Sequence, residues 1–415
     1  MQDDRFTWMH SGQLGAQQIT GNSNGQMLKA LDQALVLGFG DMTVESAVQT
    51  ALNVTITYAE VHSYELQQLI LISGADDSKL NGVHRIISKT DTTIVIDAAG
   101  VNNVTGTIKT KIAPLGFESI FGTTDPLKRA YRSANLQGTR TVLYLDMSLP
   151  TSHGYNSSNP AKRAMVDMCE DMTTLGVQIN SYTDSYNNRP TVKNGQLFWY
   201  QARAYEKNHP VLDTKENSWV IVGNGDVFYF LQDWQRYNPD TLKNRDWYAF
   251  GDIPSFDPDD KFNCFWAGAI NRNDTSPIYW AFNAAAAGGN PDNLETSSNP
   301  FAVGFFIKDA MGVGGLELVS LSVDGLEDHI LYSGSTYNPM DVNSLNTDNL
   351  VGLPAYLGAK NKLRAIAPRL LLLPYNFNDS LEFDIQVTDE VLLVALSRDG
   401  FADNVWGYLA FDLGD

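Results

Sequence analysis

The chain is poor in cysteine, poor in basic residues for its acidic content, and has no long apolar run. Cys169 and Cys264 are its two cysteines among 415 residues, so a framework of disulfides is excluded. The leucine run at residues 370–373 is far shorter than the roughly 18–20 apolar residues of a membrane span. The first residues are charged where a secretory signal would need an apolar stretch. These features predict folding in a reducing cytoplasm, without membrane insertion.

Acidic residues outnumber basic ones by 48 to 29, which gives a formal net charge of −19. Such a chain repels a phosphate backbone unless a local basic strip outweighs the overall field. The basic residues occur singly or in small groups such as Lys128 and Arg129, a spacing typical of solvated surface. Nucleic-acid binding is therefore not expected, and the acidity indicates solubility or a basic partner.

Strand-forming and turn-forming residues dominate what is present. Hydrophobic residues make up 43% of the chain and aromatic residues 11%, enough to bury two or three cores. The composition predicts a mainly β, multi-domain fold with a few helices. One helix is predicted at residues 25–37, where apolar residues recur at helical spacing before two glycines. A polar loop in which Ser23 or Asn24 caps this helix is expected.

Changes of pattern along the chain predict four segments. Residues 1–47 form an N-terminal arm and helix that belong with the central domain. Residues 48–113 form a small β-barrel or sandwich with explicit turns between five predicted strands, at 52–58, 68–73, 83–88, 92–97 and 106–112. A central β-rich domain follows at 114–360, then a C-terminal β segment of four strands at 361–415. Because the segments on either side of it look incomplete alone, the small module is predicted to be an insertion. Asn224 and Gly225 predict a tight hairpin with positive φ angles.

Two patterns with catalytic or zinc chemistry are weak. The letters GNSNG at residues 21–25 fit the elbow of a serine hydrolase, but no buried strand precedes them and no βαβ succession follows. The six histidines never occur as HxH or HExxH, so each is interpreted as a surface or packed residue. No catalytic residue and no cofactor are predicted.

An acidic stretch at residues 251–260 is a better candidate for a binding or catalytic site. Several carboxylates on a proline-containing loop could bind Ca²⁺ or provide the carboxyl pair of a glycosidase. The spacing matches no EF-hand, and a solvated acidic loop is the preferred interpretation. The cation candidates are Asp252, Asp257, Asp259 and Asp260.

Residues 199–266 hold sixteen aromatic residues, and thirteen of them form what we call the aromatic block: Trp199, Tyr200, Tyr205, Trp219, Phe228, Tyr229, Phe230, Trp234, Tyr237, Trp247, Tyr248, Phe250 and Trp266. They could build a face on which sugar rings stack, or an interface rich in anchors. Alternation along strands places every second side chain inside a sheet, so most are expected in the core and a minority at a contact surface.

Several stretches resemble a family of structural proteins from tailed-bacteriophage particles. The stretches are FTWMHSGQLGA at residues 6–16 with GFG at 38–40, SGA and NG within 71–97, AYRS at 130–133, residues 219–230, and FGDIPSF at 250–256. Their order along the chain is also the family's, and they touch most of the first 260 residues. The family carries no catalytic residues to transfer.

The resemblance implies a virion component of the tail or baseplate, assembled in the cytoplasm of a host bacterium and acting through protein–protein contacts. Its expected partners are other tail or baseplate proteins and further copies of itself. With an exposed N-terminal segment, the interface candidates are Phe6, Trp8, Met9, Trp234 and Trp247. The alternatives are a receptor-binding protein that holds host surface glycan, a depolymerase of capsule or lipopolysaccharide, and a protein of the neck or capsid surface.

Overall fold

The computed structural model describes the chain in sixteen stretches, and these are built mainly of β-strands. They are residues 5–20, 23–50, 52–148, 162–181, 197–202, 216–235, 243–252, 256, 264–270, 303–309, 312–318, 353–359, 362–372, 385–388, 390–395 and 408–414. Within these stretches, no helix has the length and apolar character required to cross a membrane. The predicted mainly β fold is confirmed.

The first elements are a strand, β1 (Thr7–His10), and the predicted helix. The helix begins as α1 (Gln26–Asp32) and continues as a π-helical turn (Gln33–Leu37). Its apolar face, which includes Leu28 and Leu31, is fully buried. The backbone N–H of Gly38 donates to the carbonyl of Gln33, and Gly38 has a φ of 70° that ends the helix. The span is as predicted, whereas the widening of the last turn is not visible in the spacing.

The expected cap at Ser23 or Asn24 is wrong. Gly25 occupies the N-cap position with a left-handed backbone and supplies no side-chain hydrogen bond. Instead Gln201, far along the chain, accepts from the N–H of Met27 at 3.2 Å. The same side chain donates to the carbonyls of Thr20 (3.0 Å) and Ser23 (2.6 Å). A tertiary contact therefore fixes the start of this helix.

Residues 39–112 form a separate seven-stranded antiparallel sheet in the order β2-β8-β5-β6-β7-β4-β3. Its strands are β2 (Phe39–Thr43), β3 (Ser46–Thr50), β4 (Asn53–Thr57), β5 (Leu69–Ala75), β6 (Gly82–Lys89), β7 (Thr93–Asp97) and β8 (Gly106–Ile112). The five strand patterns predicted here correspond to β4 through β8, while β2 and β3 were not predicted. This sheet lies in sequence between β1 and the strands after residue 116, as an insertion would. The boundaries between the four predicted segments stay predictions.

The seven-stranded sheet curls because β6 serves two sets of neighbours. Its first half pairs with β5, and its second half pairs with β7 after a register shift between Ile86 and Ser88. A bulge of this kind bends a strand and increases its twist. Alternating side chains of β4 and β7 fill the inside, with Val54, Ile56 and Ile94 fully buried. The seven-stranded module is open between its two edge strands, β2 and β3, and we call it the half-barrel.

The remaining strands join β1 in a second, larger hydrogen-bonded set of eighteen. They are β9 (Phe117–Ser119), β10 (Lys128–Ser133), β11 (Val142–Asp146), β12 (Lys162–Thr174), β13 (Val177–Ser181), β14 (Leu197–Ala202), β15 (Trp219–Gly223), β16 (Val227–Gln235), β17 (Lys243–Asp252), β18 (Cys264–Ile270), β19 (Val303–Asp309), β20 (Gly312–Leu318), β21 (Leu353–Ala359), β22 (Lys362–Leu372), β23 (Ile385–Thr388), β24 (Val391–Ala395) and β25 (Tyr408–Asp412). Consecutive antiparallel pairings run from β15 to β22. The last four strands are the four predicted for the C-terminal segment.

Strand β1 connects the two sheets. It pairs antiparallel with β15, with Thr7 opposite Gly223 and His10 opposite Val220. Toward the half-barrel, the hydroxyl of Thr7 accepts from the N–H of Leu69 at 2.8 Å. The guanidinium of Arg85 donates to the carbonyl of Phe6 at 3.1 Å. One short strand thus belongs to the hydrogen-bonding systems of both units.

Candidate functional site

The acidic stretch is represented in the structure by its beginning. Asp252 is the last residue of β17, and it lies half-buried against the hairpin that joins β15 and β16. Asp257, Asp259 and Asp260 lie outside the described residues. Asp252 is therefore the one of the four cation candidates whose surroundings the structure describes.

The hairpin beside Asp252 is present, but its predicted turn geometry is wrong. Among the described residues with positive φ, neither Asn224 nor Gly225 appears. The side-chain oxygen of Asn224 accepts from the N–H groups of Asp226 (3.0 Å) and Val227 (3.1 Å). An asparagine that closes a turn with its own side chain needs no left-handed backbone.

A close backbone approach brings β17 to this hairpin. The N–H of Asp252 donates to the carbonyl of Asp226 at 2.9 Å. The preceding Gly251 has a φ of 145°, and a Cβ there would collide with the same carbonyl. Glycine at 251 is thus what lets two carboxylate-bearing residues sit side by side.

The loop between β10 and β11 covers both carboxylates. Ser133 donates to Asp226 at 3.1 Å, and the amide of Asn135 donates to both oxygens of Asp226 at 3.0 and 3.2 Å. Thr139 donates to Asp252 twice, from its N–H at 2.7 Å and from its hydroxyl at 2.5 Å. We call these five residues the acidic clasp: Ser133, Asn135, Thr139, Asp226 and Asp252.

Electrostatics within the acidic clasp raise the pKa of the Asp252 carboxyl above its ordinary value. Burial raises the pKa of its carboxyl, the two hydrogen bonds from Thr139 lower it, and the negative charge of Asp226 raises it again. The net direction is upward. Both oxygens of Asp252 have protein partners, and within the described stretches no three metal-ligating side chains come together. The geometry holds a loop in place and leaves the cation hypothesis without a ligand set here.

The aromatic block is core wherever its side chains are described. Trp199 stacks on Tyr248 with ring centroids 5.2 Å apart and meets Phe228 edge-on at 6.0 Å. Seven of the thirteen are at most 2% exposed; they are Trp199, Trp219, Phe228, Tyr229, Phe230, Tyr248 and Phe250. The expectation that most of the block is core is confirmed for these seven. For Trp234 and Trp247 the structure describes only the strands, β16 and β17.

The N-terminal interface candidates are inside the protein, so the expectation of an exposed N-terminal segment is wrong for residues 6–9. Phe6 and Trp8 are 3% exposed and Met9 is 0% exposed. The indole N–H of Trp8 donates to the carbonyl of Leu66 at 3.0 Å. These side chains join β1 to the half-barrel within one chain, so they present no surface to a neighbouring copy.

Three histidines lie in the described part of the chain, and each has local contacts. His10 stacks on Trp8 at 5.5 Å, and His62 is buried with a ring nitrogen 3.1 Å from the carbonyl of Thr93. His84 lies 3.1 Å from the carbonyl of Asp97. His153, His209 and His329 lie outside the described residues, as do Gly21 and Asn22 of the serine-hydrolase pattern.

A buried ion pair between Arg129 and Asp32 was not predicted. Arg129, expected on solvated surface, has a side chain that is 2% exposed and an ion pair with Asp32 at 2.9 Å. The hydroxyl of Tyr131 donates to the same carboxylate at 2.7 Å. Asp32 lies on α1 and Arg129 on β10, so the pair ties the helix to the large sheet. The spacing of basic residues carries no signal of this partner, which is 97 positions away.

Comparison with known proteins gives little. No family model matches the chain, and no curated protein matches it. A solved structure with weak similarity is the Phage phi92 endosialidase, at 10% identity over 90% of this chain and 69% of that chain. The TM-score is 0.15, so this similarity carries no argument about fold or function.

Proposed function

We propose that this chain is a structural component of a tailed-phage particle, located in the tail or baseplate and acting by protein–protein assembly. It is made in the host cytoplasm, and its partners are other virion proteins and further copies of itself. The proposal assigns it no catalytic activity. It is supported by the resemblance over most of the first 260 residues and by the way the described candidate side chains are used for internal contacts.

The observation that carries the proposal is the position of β1. This strand hydrogen-bonds to β15 in the large sheet, while Trp8 and Thr7 bond to the half-barrel. A buried amide chain strengthens the junction: Gln13 donates to Gln68 at 2.8 Å, and Gln68 donates to the carbonyl of Trp8 at 3.0 Å. Satisfied buried polar networks rigidify the elements they join. A subunit that holds two β units in a fixed relation suits a symmetric assembly, in which every copy must present the same surfaces.

Purified particles provide the test. Phage particles would be banded on a density gradient, and their proteins identified by mass spectrometry before and after a wash at high salt. We expect the chain to remain with the particles, and a reconstruction by electron microscopy to place its half-barrel in the tail or baseplate. A chain found only in the unassembled fraction of the lysate would contradict the proposal.

The acidic clasp favours one second candidate, a depolymerase. Two carboxylates side by side, one with a raised pKa, are the groups that glycosidases use as acid and as base or nucleophile. The discriminating variants are D252N and D226N, assayed on capsular polysaccharide and on lipopolysaccharide. If both folded variants lose a turnover that the original chain has, the depolymerase is the better assignment.

A further inference from the structure

The two edges of the half-barrel are built differently. At one edge, β2 has a register shift between Phe39 and Met42, a glycine with φ of 73° at Gly40, and an exposed carboxylate at Asp41. Bulges and charges of this kind prevent an edge strand from pairing with another chain. The β2 edge is therefore protected.

The other edge, β3, has none of these devices. Its pairing with β4 is regular from Ser46 to Thr50, with no register shift, and in the described part of the chain β4 is its one partner. Residues 46–59 include no charged residue and no proline, although the whole chain has a net charge of −19. Val48 is 57% exposed, and Leu52, just after the strand, is 64% exposed.

Strand β3 is nevertheless held firmly on its inner side. Ala47 packs against the core, and the amide of Gln49 donates to the carbonyl of Val101. On the outer side, Val48 lies opposite Thr55 of β4, which lies opposite Val95 of β7. The outer face beside the edge thus carries a row of uncharged β-branched side chains, which favour strand pairing.

We propose that two copies of this chain pair through β3, antiparallel across a twofold axis at Val48, so that the two half-barrels form one continuous sheet. In that register Val48 of one copy faces Val48 of the other, and Ser46 of one copy faces Thr50 of the other. The strand is therefore complementary to itself. This inference rests on the proposed function, because it names one of the contact surfaces through which the subunit would assemble.

Charge favours a second copy at this edge. Two chains of net charge −19 repel each other, and an uncharged stretch is where they can meet at least electrostatic cost. The nearest acidic residue on the strand's N-terminal side is Glu45. In the proposed register the two copies of Glu45 lie at opposite ends of the paired strands, about 20 Å apart at ~3.3 Å per residue. Charges this far apart are largely screened at ~0.1 M salt.

The first test compares two variants with the same change of charge. V48E places two carboxylates face to face at the proposed axis, whereas T43E adds one to the exposed β2 edge. By sedimentation velocity, we expect the original chain and T43E to dimerise, and the dissociation constant of V48E to rise at least about tenfold, because like charges that face each other across an interface repel. The far-ultraviolet circular dichroism spectra of both variants should match the spectrum of the original chain.

The result also separates the two proposals. A V48E chain that dimerises as tightly as T43E overturns the β3 interface, and so does an original chain that stays monomeric at tens of micromolar. In either case, finding the chain in purified particles would leave the proposed function standing.

A cross-linking experiment tests the register itself. The V48C variant should form a disulfide-linked dimer under mild oxidation, since residues opposed across an antiparallel pair have Cβ atoms within bonding range. T43C is the matched control and should stay unlinked, and native Cys169 is buried. Equal cross-linking of V48C and T43C would overturn the proposed register.

Discussion

At the scale of single residues, Asp252 shows how a carboxyl with a raised pKa can serve the fold. A carboxyl whose pKa is higher in the folded protein stabilises it at low pH, and this contribution is lost as pH rises through the folded value. The ordinary value is 3.8, so the loss begins above that pH. In D252N the amide has no charge to bury, and the hydroxyl of Thr139 can turn to accept from it while donating to Thr141, 3.1 Å away.

We therefore expect D252N to be as stable as the original chain near pH 7, or more stable, and to lose less stability between pH 4 and pH 7. Urea unfolding followed by fluorescence at several pH values measures this difference. The matched variant D252A removes both acceptors of Thr139 and should be about 1 kcal/mol less stable than D252N at every pH, because a partly buried N–H is left without a partner. A D252N chain that is less stable than D252A would contradict this account.

At the scale of elements, Gly38 is the residue on which the end of the helix depends. It has a φ of 70°, and a Cβ at this position would fall on the carbonyl oxygen of Ile112 in β8. Gly122 is a matched control, because its φ is 71° and nothing lies within 4 Å of the corresponding Cβ. The two glycines share a backbone conformation and differ in their surroundings.

We expect G122A to lower the free energy of unfolding by about 1 kcal/mol, the cost of a left-handed backbone for alanine. G38A should lose about 1–3 kcal/mol more, because the helix end and β8 must move apart. Chemical denaturation of the two variants measures both numbers. Equal losses would show that the contact between Gly38 and β8 is not tight.

The sequence predicted those elements whose structure is determined by residues close to one another along the chain. Strands β4 through β8 follow from alternation and turn residues, and the helix follows from its spacing and Gly38. Strand β2 was missed because Gly40 and Asp41 interrupt any apolar alternation. Strand β3 was missed because Ser, Ala, Gln and Thr give no hydrophobic period, although a neighbour on one side suffices to make it a strand.

Distant partners explain the other errors. Nothing near residue 25 in sequence reveals that Gln201 caps the helix, and nothing near Trp8 reveals that β15 and the half-barrel enclose it. Alternation did predict the buried aromatic side chains, because the period of a strand is local. The acidic stretch was recognised, yet the hydroxyl and amide groups that hold Asp252 and Asp226 come from a loop about a hundred residues earlier.

At the scale of the whole molecule, β1 should make the two sheets unfold together. A chain that lacks residues 1–10 loses the pairing with β15, the hydrogen bonds of Trp8 and Thr7, and the burial of Met9. We expect two separate thermal transitions from this chain in calorimetry, where the full chain gives a single transition for these two units.

A chain that lacks only residues 1–4 is the control and should unfold like the full chain. Hydrogen exchange followed by mass spectrometry would assign each transition to the half-barrel or to the large sheet. A single transition at an unchanged temperature after removal of residues 1–10 would show that other contacts couple the sheets.

The placement of β1 also sets an order of events during synthesis. All seven strands of the half-barrel have been made by residue 112, so this unit can fold on the ribosome from its own pairings. The pairing of Thr7, however, cannot form until Gly223 has been synthesised, roughly ten to forty seconds later at ~5–20 residues per second. Until then the large sheet does not cover the side chains of Phe6, Trp8 and Met9. Strand β1 therefore emerges well before its partner β15, and a nascent chain that stalls before residue 219 leaves the apolar side chains of residues 6–9 partly uncovered.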